Sequence, residues 1–229
     1  MTRGAGLERG SVSPERTVVE PGPAPRTVYA ATANRGKLHE LRALFAPHDI
    51  EVLVDPGYTS PAEGEHSYAE NAAIKAHALH ARLRAEHRPA AVLSDDSGLE
   101  VYALDGRPGV MTADYGGSNA TWMERRAMLL AELAAGGGMD RRARFVCSMH
   151  YIDAQGREFA SLGTVDGEIA ASERGELGFS FDPIFLYAPA GRTFAELSDD
   201  DKNRVSHRAI AAAAIVAAID AAAVRLPTR

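Results

Sequence analysis

Residues 89–94 read PAAVLS, an apolar run of strand type, and the chain continues directly into SDDSGL at 94–99. Asp95 and Asp96 therefore stand where a strand composed for burial comes to its end. Two like charges there are disfavoured unless one side chain points away or a cation neutralises them. The pair thus restricts the fold to one in which a sheet strand reaches a functional edge. Carboxylate oxygens are hard ligands that suit Mg2+, which commonly takes one or two protein carboxylates together with phosphate oxygens and water. A carboxylate in such a place also aligns and deprotonates an attacking water. The competing reading is a solvated turn, because Asp, Ser and Gly are turn residues. The apolar strand leading in favours the functional one.

The rest of the chain reads as mixed strands and helices. TVYAATA (27–33) and IEVLV (50–54) are strand-like, and KLHELRALFAPH between them is helical, with Leu38, Leu41, Leu44 and Phe45 on one face. Polar DPGYTSPAEGEH is a loop. Tyr68, Ala72, Ala76, Leu79 and Leu83 have the steps of an amphipathic helix. AAVLS and LEVYAL flank the acidic pair as two strands. Residues 119–135 have helical spacing closed by GGG at 136–138. ARFVCSMHYID and REFASLGTVDGEIA are strand-like, with DAQG as a hairpin turn. LGFSFDPIFLY is extended, and TFAEL onward is helical. Without strict βαβ alternation, the expectation is one α/β domain with a mixed sheet over 27–229. The Gly, Pro, Arg and Glu content of residues 1–26 reads as a flexible extension.

Composition excludes some functions. Formal net charge is −6, against a duplex nucleic-acid binder, although local lysines reverse the field inside a cleft. The single cysteine, Cys147, makes an internal disulfide impossible and points to a reducing cytoplasm. No apolar h-region of a secretory signal is present at the N-terminus. Alanine-rich AIAAAAIVAAIDAAAV, interrupted by Asp220, reads as a packed helix and not a membrane span.

Four further stretches carry chemistry. In TANRGK (32–37), backbone N–H groups at a helix start beside a lysine favour a phosphate; the alternative is a plain turn with Asn34 as cap and Lys37 solvated. In SYAENAAIK, Ser67 and Glu70 have capping-box spacing; the functional alternative turns Glu70 to a metal and Lys75 to phosphate. In GFSFDPIF, one phenylalanine could stack on a base while Asp182 accepts from it, or the rings could be core. In SHR (206–208), Ser206 fits an N-cap, and cationic Arg208 in the first turn opposes the helix dipole, which suggests use on a ligand. Lys202 within DDDKN allows the same reading, or simple pairing with its acidic neighbours.

Taken in order, these stretches resemble the inosine/xanthosine triphosphate pyrophosphatase family. ATANRGKLHEL is similar to its T-x-N-x-x-K-x-x-E motif, ENAAIKA to ENA-x-x-KA, and SDDSGLEVYALDGRPGV to DDSGL-x-V-x-x-L-x-G-x-PG. GFSFDPIF and FAELSDDDKNRVSHRAIA are similar to its closing motifs, so the likeness spans about residues 27–220. The resemblance implies an elongated α/β fold, with a central mixed β-sheet flanked by helices and two lobes around a substrate cleft. It implies Mg2+-dependent hydrolysis of purine nucleoside triphosphates (ITP, dITP, XTP) to the monophosphate and pyrophosphate, and a homodimer.

By motif, Thr32, Ala33, Asn34, Arg35, Gly36 and Lys37 would hold the triphosphate, helped by Lys75. Asp96 would be general base and metal ligand, Glu70 a second metal ligand, and Ser97 a substrate contact. The turn Phe179, Ser180, Phe181 would meet the base, Phe179 by stacking, with Asp182, Lys202, His207 and Arg208 around its edge. Donors there suit a purine 6-oxygen over adenine's amino group. Two departures stand out: GFSFDP where the family reads GFGYDP, and TADYGG with Asp114 where it has arginine. The second inverts a local charge, which leaves the reaction type alone but leaves open a member specialised for another or modified nucleotide. A nucleotide-binding protein without turnover is the alternative of a different class, and the retained Asp96, Glu70 and Lys37 argue against it.

Overall fold

The computed structural model describes residues 26–137 and 139–224. The flexible extension expected over 1–26 therefore lies outside the described residues except for Arg26, as does the last glycine of GGG. The elements are β1 (Arg26–Ala30), α1 (Arg35–Phe45), β2 (Ile50–Leu53), α2 (Tyr68–Ala85), β3 (Ala91–Val101), α3 (Trp122–Ala135), β4 (Arg142–Ile152), β5 (Glu158–Ile169), β6 (Phe185–Tyr187), β7 (Arg192–Thr193), α4 (Asp199–Val205) and α5 (His207–Val224). They build one open seven-stranded sheet in the order β2-β1-β3-β4-β5-β6-β7. β1 runs parallel to β2 and β3, and the remaining pairs are antiparallel, so the sheet is mixed as expected.

Helix starts follow local side-chain chemistry. Asn34 Oδ1 accepts from the N–H groups of Gly36 (2.9 Å) and Lys37 (3.1 Å) to begin α1, and Ser67 Oγ accepts from Glu70 N–H to begin α2. Along α2 the buried Ala72, Ala76, Leu79 and Leu83 confirm the apolar stripe. On one face of the sheet Leu41 and Phe45 of α1 and Ala211, Ala212 and Ile215 of α5 pack with Val28, Leu93, Cys147 and Met149. α2 covers the opposite face with Val92 and Ile152. Farther along the same strands, Leu99, Val101 and Phe145 pack with Leu129 and Leu133 of α3 and with Phe185 and Phe194. The long strands β3 and β4 thus join two cores, and residues 95–97 fall between them. No single helix among the described residues is long and apolar enough to cross a membrane.

Three expectations of local structure are corrected. The acidic pair does not separate two strands: β3 is continuous through it, paired with β4 from Val92↔Ile152 to Val101↔Ala143. Each carboxylate finds cations on its own side of the sheet, so no break is required. The GFSFDPIF stretch is a turn with a short 3₁₀ segment, Asp182–Ile184, and becomes strand only at Phe185. TFAEL gives only the 3₁₀ turn Phe194–Glu196 after β7, not a longer helix.

Candidate active site

Strand alternation sends neighbouring side chains of β3 to opposite faces. Asp96 projects toward α2 and Asp95 toward α1 and α5. The strand edge between them opens into a cavity of about 600 Å³ lined from α1, α2, β3, α4, α5 and the loops at 60–65, 109–114 and 179–182. Gly98 lets the 109–113 turn approach: a Cβ there would stand 2.2 Å from the Gly109 carbonyl oxygen. Thr112 Oγ1 fixes that turn by accepting from Leu99 N–H at 2.9 Å and donating to Gly109 O.

On the α2 side, the Lys75 ammonium donates to Asp96 Oδ1 at 2.8 Å and to Glu63 Oε2 at 2.9 Å. Asn71 donates from Nδ2 to Gly64 O (2.9 Å) and Asp96 Oδ2 (3.4 Å), and its Oδ1 accepts from Gly64 N–H at 2.7 Å. One amide thus ties the Glu63 loop to α2 and to the catalytic candidate. Burial pushes the Asp96 carboxyl above its ordinary range, and Lys75 and Lys37 offset this only partly. Two carboxylates gathered on one ammonium are a hard-oxygen donor set, with the lysine marking where positive charge is stable. Glu63 and Asp96 therefore fit Mg2+.

On the other face the polar groups form a chain of buried ion pairs, with Asp95 Oδ1 left without a partner. Asp95 Oδ2 meets Arg208 Nη2 at 2.9 Å and Lys37 Nζ at 3.1 Å. Arg208 Nη1 pairs with Glu40 Oε2, and Glu40 Oε1 receives Lys202 Nζ at 2.7 Å. Lys202 also pairs with Asp182 Oδ2, which accepts Phe179 N–H at 2.8 Å. Burial acts to raise the Asp95 carboxyl, but Lys37, Arg208 and Lys75 overcome it and hold it well below the usual range. Burial outweighs Lys202 at Asp182, whose carboxyl is raised. Lys202 Nζ lies 4.9 Å and Arg208 Cζ 5.8 Å from the Phe179 ring centroid, within cation–π range. His207 stacks on Phe145 at 4.7 Å, its Nδ1 is buried without a partner, and burial with Arg208 and Lys202 lowers its pKa well below the ordinary value.

Most residues expected from sequence meet at this cavity. Thr32, Ala33, Asn34 and Lys37 line one wall, Lys75, Asp96 and Ser97 the floor, and Phe179, Ser180, Asp182, Lys202, His207 and Arg208 the far end. Both halves of the alternative at TANRGK are resolved: Asn34 is the cap, yet Lys37 is not solvated but paired with Asp95. Four residues are not cavity walls. Arg35 is exposed beside it, and Gly36 lies beneath Phe179, where a Cβ would stand 2.7 Å from the ring. Phe181 is fully buried in the core, edge-on to Trp122 and Tyr115, because the turn after Phe179 sends alternate rings to opposite sides. Glu70 is exposed and absent from the lining, since Asn71 and Lys75, not Glu70, occupy the inward face of α2.

Glu63, Glu40 and Asn71 were not singled out. Glu40 and Asn71 do stand within the quoted motifs, as the final glutamate of T-x-N-x-x-K-x-x-E and the amide of ENA, whereas Glu63 carried no signal. Cys147 faces α5, and burial pushes its thiol up to about 12.

An open mixed sheet thus presents lysines and paired carboxylates from one strand edge to a single cleft. The Ham1 family model matches residues 28–218, and the chain belongs to that family. A dITP/XTP pyrophosphatase of Geobacillus kaustophilus is 44% identical over 188 residues, covering 80% of this chain and 89% of that protein. A dITP/XTP pyrophosphatase of Thermus thermophilus is 42% identical over 193 residues, 83% and 90% of the two chains. The solved Staphylococcus aureus Ham1 protein superposes with a TM-score of 0.73 at 34% identity, covering 86% of this chain and 100% of that one.

Proposed function

We propose that the chain is a Mg2+-dependent nucleoside triphosphate pyrophosphatase acting on ITP, dITP and XTP, cleaving between the α and β phosphates to give the monophosphate and pyrophosphate. The observation that carries this reading is the placement of Asp96, cleft-facing and gripped by Lys75 and Asn71, opposite the Phe179 end of the same cavity. Asp96 accepts the proton of the attacking water, for which a raised carboxyl is suited. Lys37 and Lys75 offset charge on the departing pyrophosphate. Glu63 and Asp96 would hold Mg2+, which supplies further neutralisation of the phosphate oxygens. Ser97 Oγ accepts from Arg208 Nη2 at 2.9 Å, and no His side chain is hydrogen-bonded to it among the described residues, which supports direct attack by water.

The base lies against Phe179 in this reading. Lys202 and Arg208 are already engaged by Glu40, Asp182 and Asp95, so they brace the turn, while the unpartnered His207 Nδ1 is the group free to sense the base edge. The chain from residue 27 onward acts as one domain, since a single sheet carries every site element. The homodimer rests on the family resemblance and is checked by sedimentation. A reducing cytoplasm is supported by the free, buried Cys147.

Pyrophosphate release across a nucleotide panel, with and without Mg2+, tests the reading. Release from ITP and XTP far above ATP and GTP, only with Mg2+, is expected. Tight nucleotide binding with no release from any triphosphate would identify a binding protein instead. One observation favours a second reading: Asp114 lines the cavity where the family has arginine. A modified nucleotide outcompeting ITP would establish that specialisation.

A further inference from the structure

Outside the cleft, three donor side chains converge from three elements. His77 stands on α2, His150 on β4 and Glu158 at the start of β5. His150 pairs with Ala160 and Ile152 with Glu158, so Glu158 is the diagonal neighbour of His150 on the sheet face that α2 covers. Glu158 Oε2 lies 2.9 Å from His150 Nε2 and 3.3 Å from His77 Nε2, and the three donor atoms all fall within 4.8 Å of one another. The imidazole centroids are 5.5 Å apart. Bond lengths of about 2.0–2.2 Å to a tetrahedral Zn2+ place its ligand atoms roughly 3.3 Å from each other. The observed spacing therefore needs only small side-chain shifts to close on an ion.

Chemistry narrows the ion. Two imidazoles and one carboxylate form a donor set of the zinc type, whereas Mg2+ takes oxygen ligands almost exclusively. The side chains of His77 and Glu158 are 53% and 42% exposed, so a remaining position opens to water, while His150 at 13% anchors the group. His80, three residues along α2, stands outside the group, with its Nε2 3.2 Å from the Asp153 carbonyl oxygen.

We propose that His77, His150 and Glu158 form a metal site, separate from the cleft, for a Zn2+-class divalent ion with solvent completing its shell. Such an ion staples α2 to the β4–β5 hairpin. Because α2 also carries Asn71 and Lys75, occupancy fixes the helix that holds Asp96. The proposal does not depend on the nature of the reaction in the cleft.

The test uses tag-free, metal-stripped full-length protein held in excess Mg2+ to occupy the cleft. Zn2+ is titrated calorimetrically, Co2+ is followed by its visible ligand-field bands, and thermal unfolding is recorded with each. One equivalent of Zn2+ bound at micromolar or tighter affinity, with tetrahedral Co2+ bands and a raised Tm, is expected. His77→Ala, at an exposed position that leaves the fold intact, should weaken binding at least about 10-fold and remove the bands, and His150→Gln should do the same. Binding should persist in Glu63→Gln. The proposal is overturned if Zn2+ binds only at millimolar concentration. It fails equally if binding survives both histidine substitutions, or if it is lost in Glu63→Gln while His77→Ala retains it.

Discussion

Asp95 and Asp96 are adjacent in sequence and separated by a sheet. Asp95 faces a chain of ion pairs running through Lys37, Arg208, Glu40, Lys202 and Asp182, with its Oδ1 buried and without a partner. Asp96 faces an open cleft with one lysine and one long amide contact. Their protonation equilibria diverge accordingly, Asp95 lowered and Asp96 raised. A carboxyl whose folded pKa is depressed contributes stability above its unfolded pKa, near 3.8, and loses it as pH falls. One whose folded pKa is raised behaves oppositely: its contribution is complete below the unfolded value and is lost as pH rises through the folded one. At neutral pH Asp95 therefore supports the fold, and ionised Asp96 weighs against it. Reactivity is purchased on one face of the strand and braced on the other.

Ranked by their effect on stability, substitutions should separate the two faces. Asp95→Ala leaves Arg208 and Lys37 without a buried counterion and should lower unfolding free energy by about 3–5 kcal/mol, read from urea melts at about pH 7. A loss below about 1 kcal/mol would break the contrast. In acid, wild-type protein should lose stability steeply as pH falls below about 4, and the Asp95→Asn variant less so.

A smaller effect of opposite sign is expected at Ser180. That residue has a φ of +58°, a left-handed conformation in which glycine is unstrained, and its carbonyl is clasped by Arg126 Nη1 at 2.9 Å. The glycine of the family pattern is thereby explained. Ser180→Gly should raise stability by roughly 0.5–1 kcal/mol, visible as a higher Tm, and an unchanged or lower Tm would show that the strain is absent. Smaller still is the effect of Glu63→Gln on folding, within about 0.5 kcal/mol, although it should raise the Mg2+ concentration for half-activation at least about 10-fold. Glu70→Gln should leave Mg2+ activation unchanged, and equal effects of the two substitutions would restore Glu70 to the metal.

What the sequence disclosed follows the same division. Contiguous motifs were legible because each places its chemistry on one turn, one helix face or one strand: TANRGK, ENAAIK, DDSGL and SHR all reach the cavity. Arg208, odd in a helix's first turn, is explained by two carboxylates around its guanidinium. Glu63 was illegible because its loop offers several acids, and only the tertiary bonds of Asn71 to Gly64 select one of them. Phe181 was misjudged because ring direction within the turn depends on Trp122 and Tyr115, which are distant in sequence. Strand continuity through the acidic pair was hidden for a similar reason, since the cations that permit it come from α1, α2 and α5.

Asp96→Asn is the substitution expected to disturb folding least and chemistry most. Asparagine keeps the shape, Lys75 retains Glu63, and the removed charge was one the fold disfavoured. Pyrophosphate release from ITP at saturating Mg2+, measured beside the thermal melt of the same sample, is therefore the decisive assay. A fall of about 10²–10⁴-fold with an unshifted or slightly raised Tm is expected. Turnover near the wild-type rate in a folded variant would contradict the assignment of Asp96 as the base.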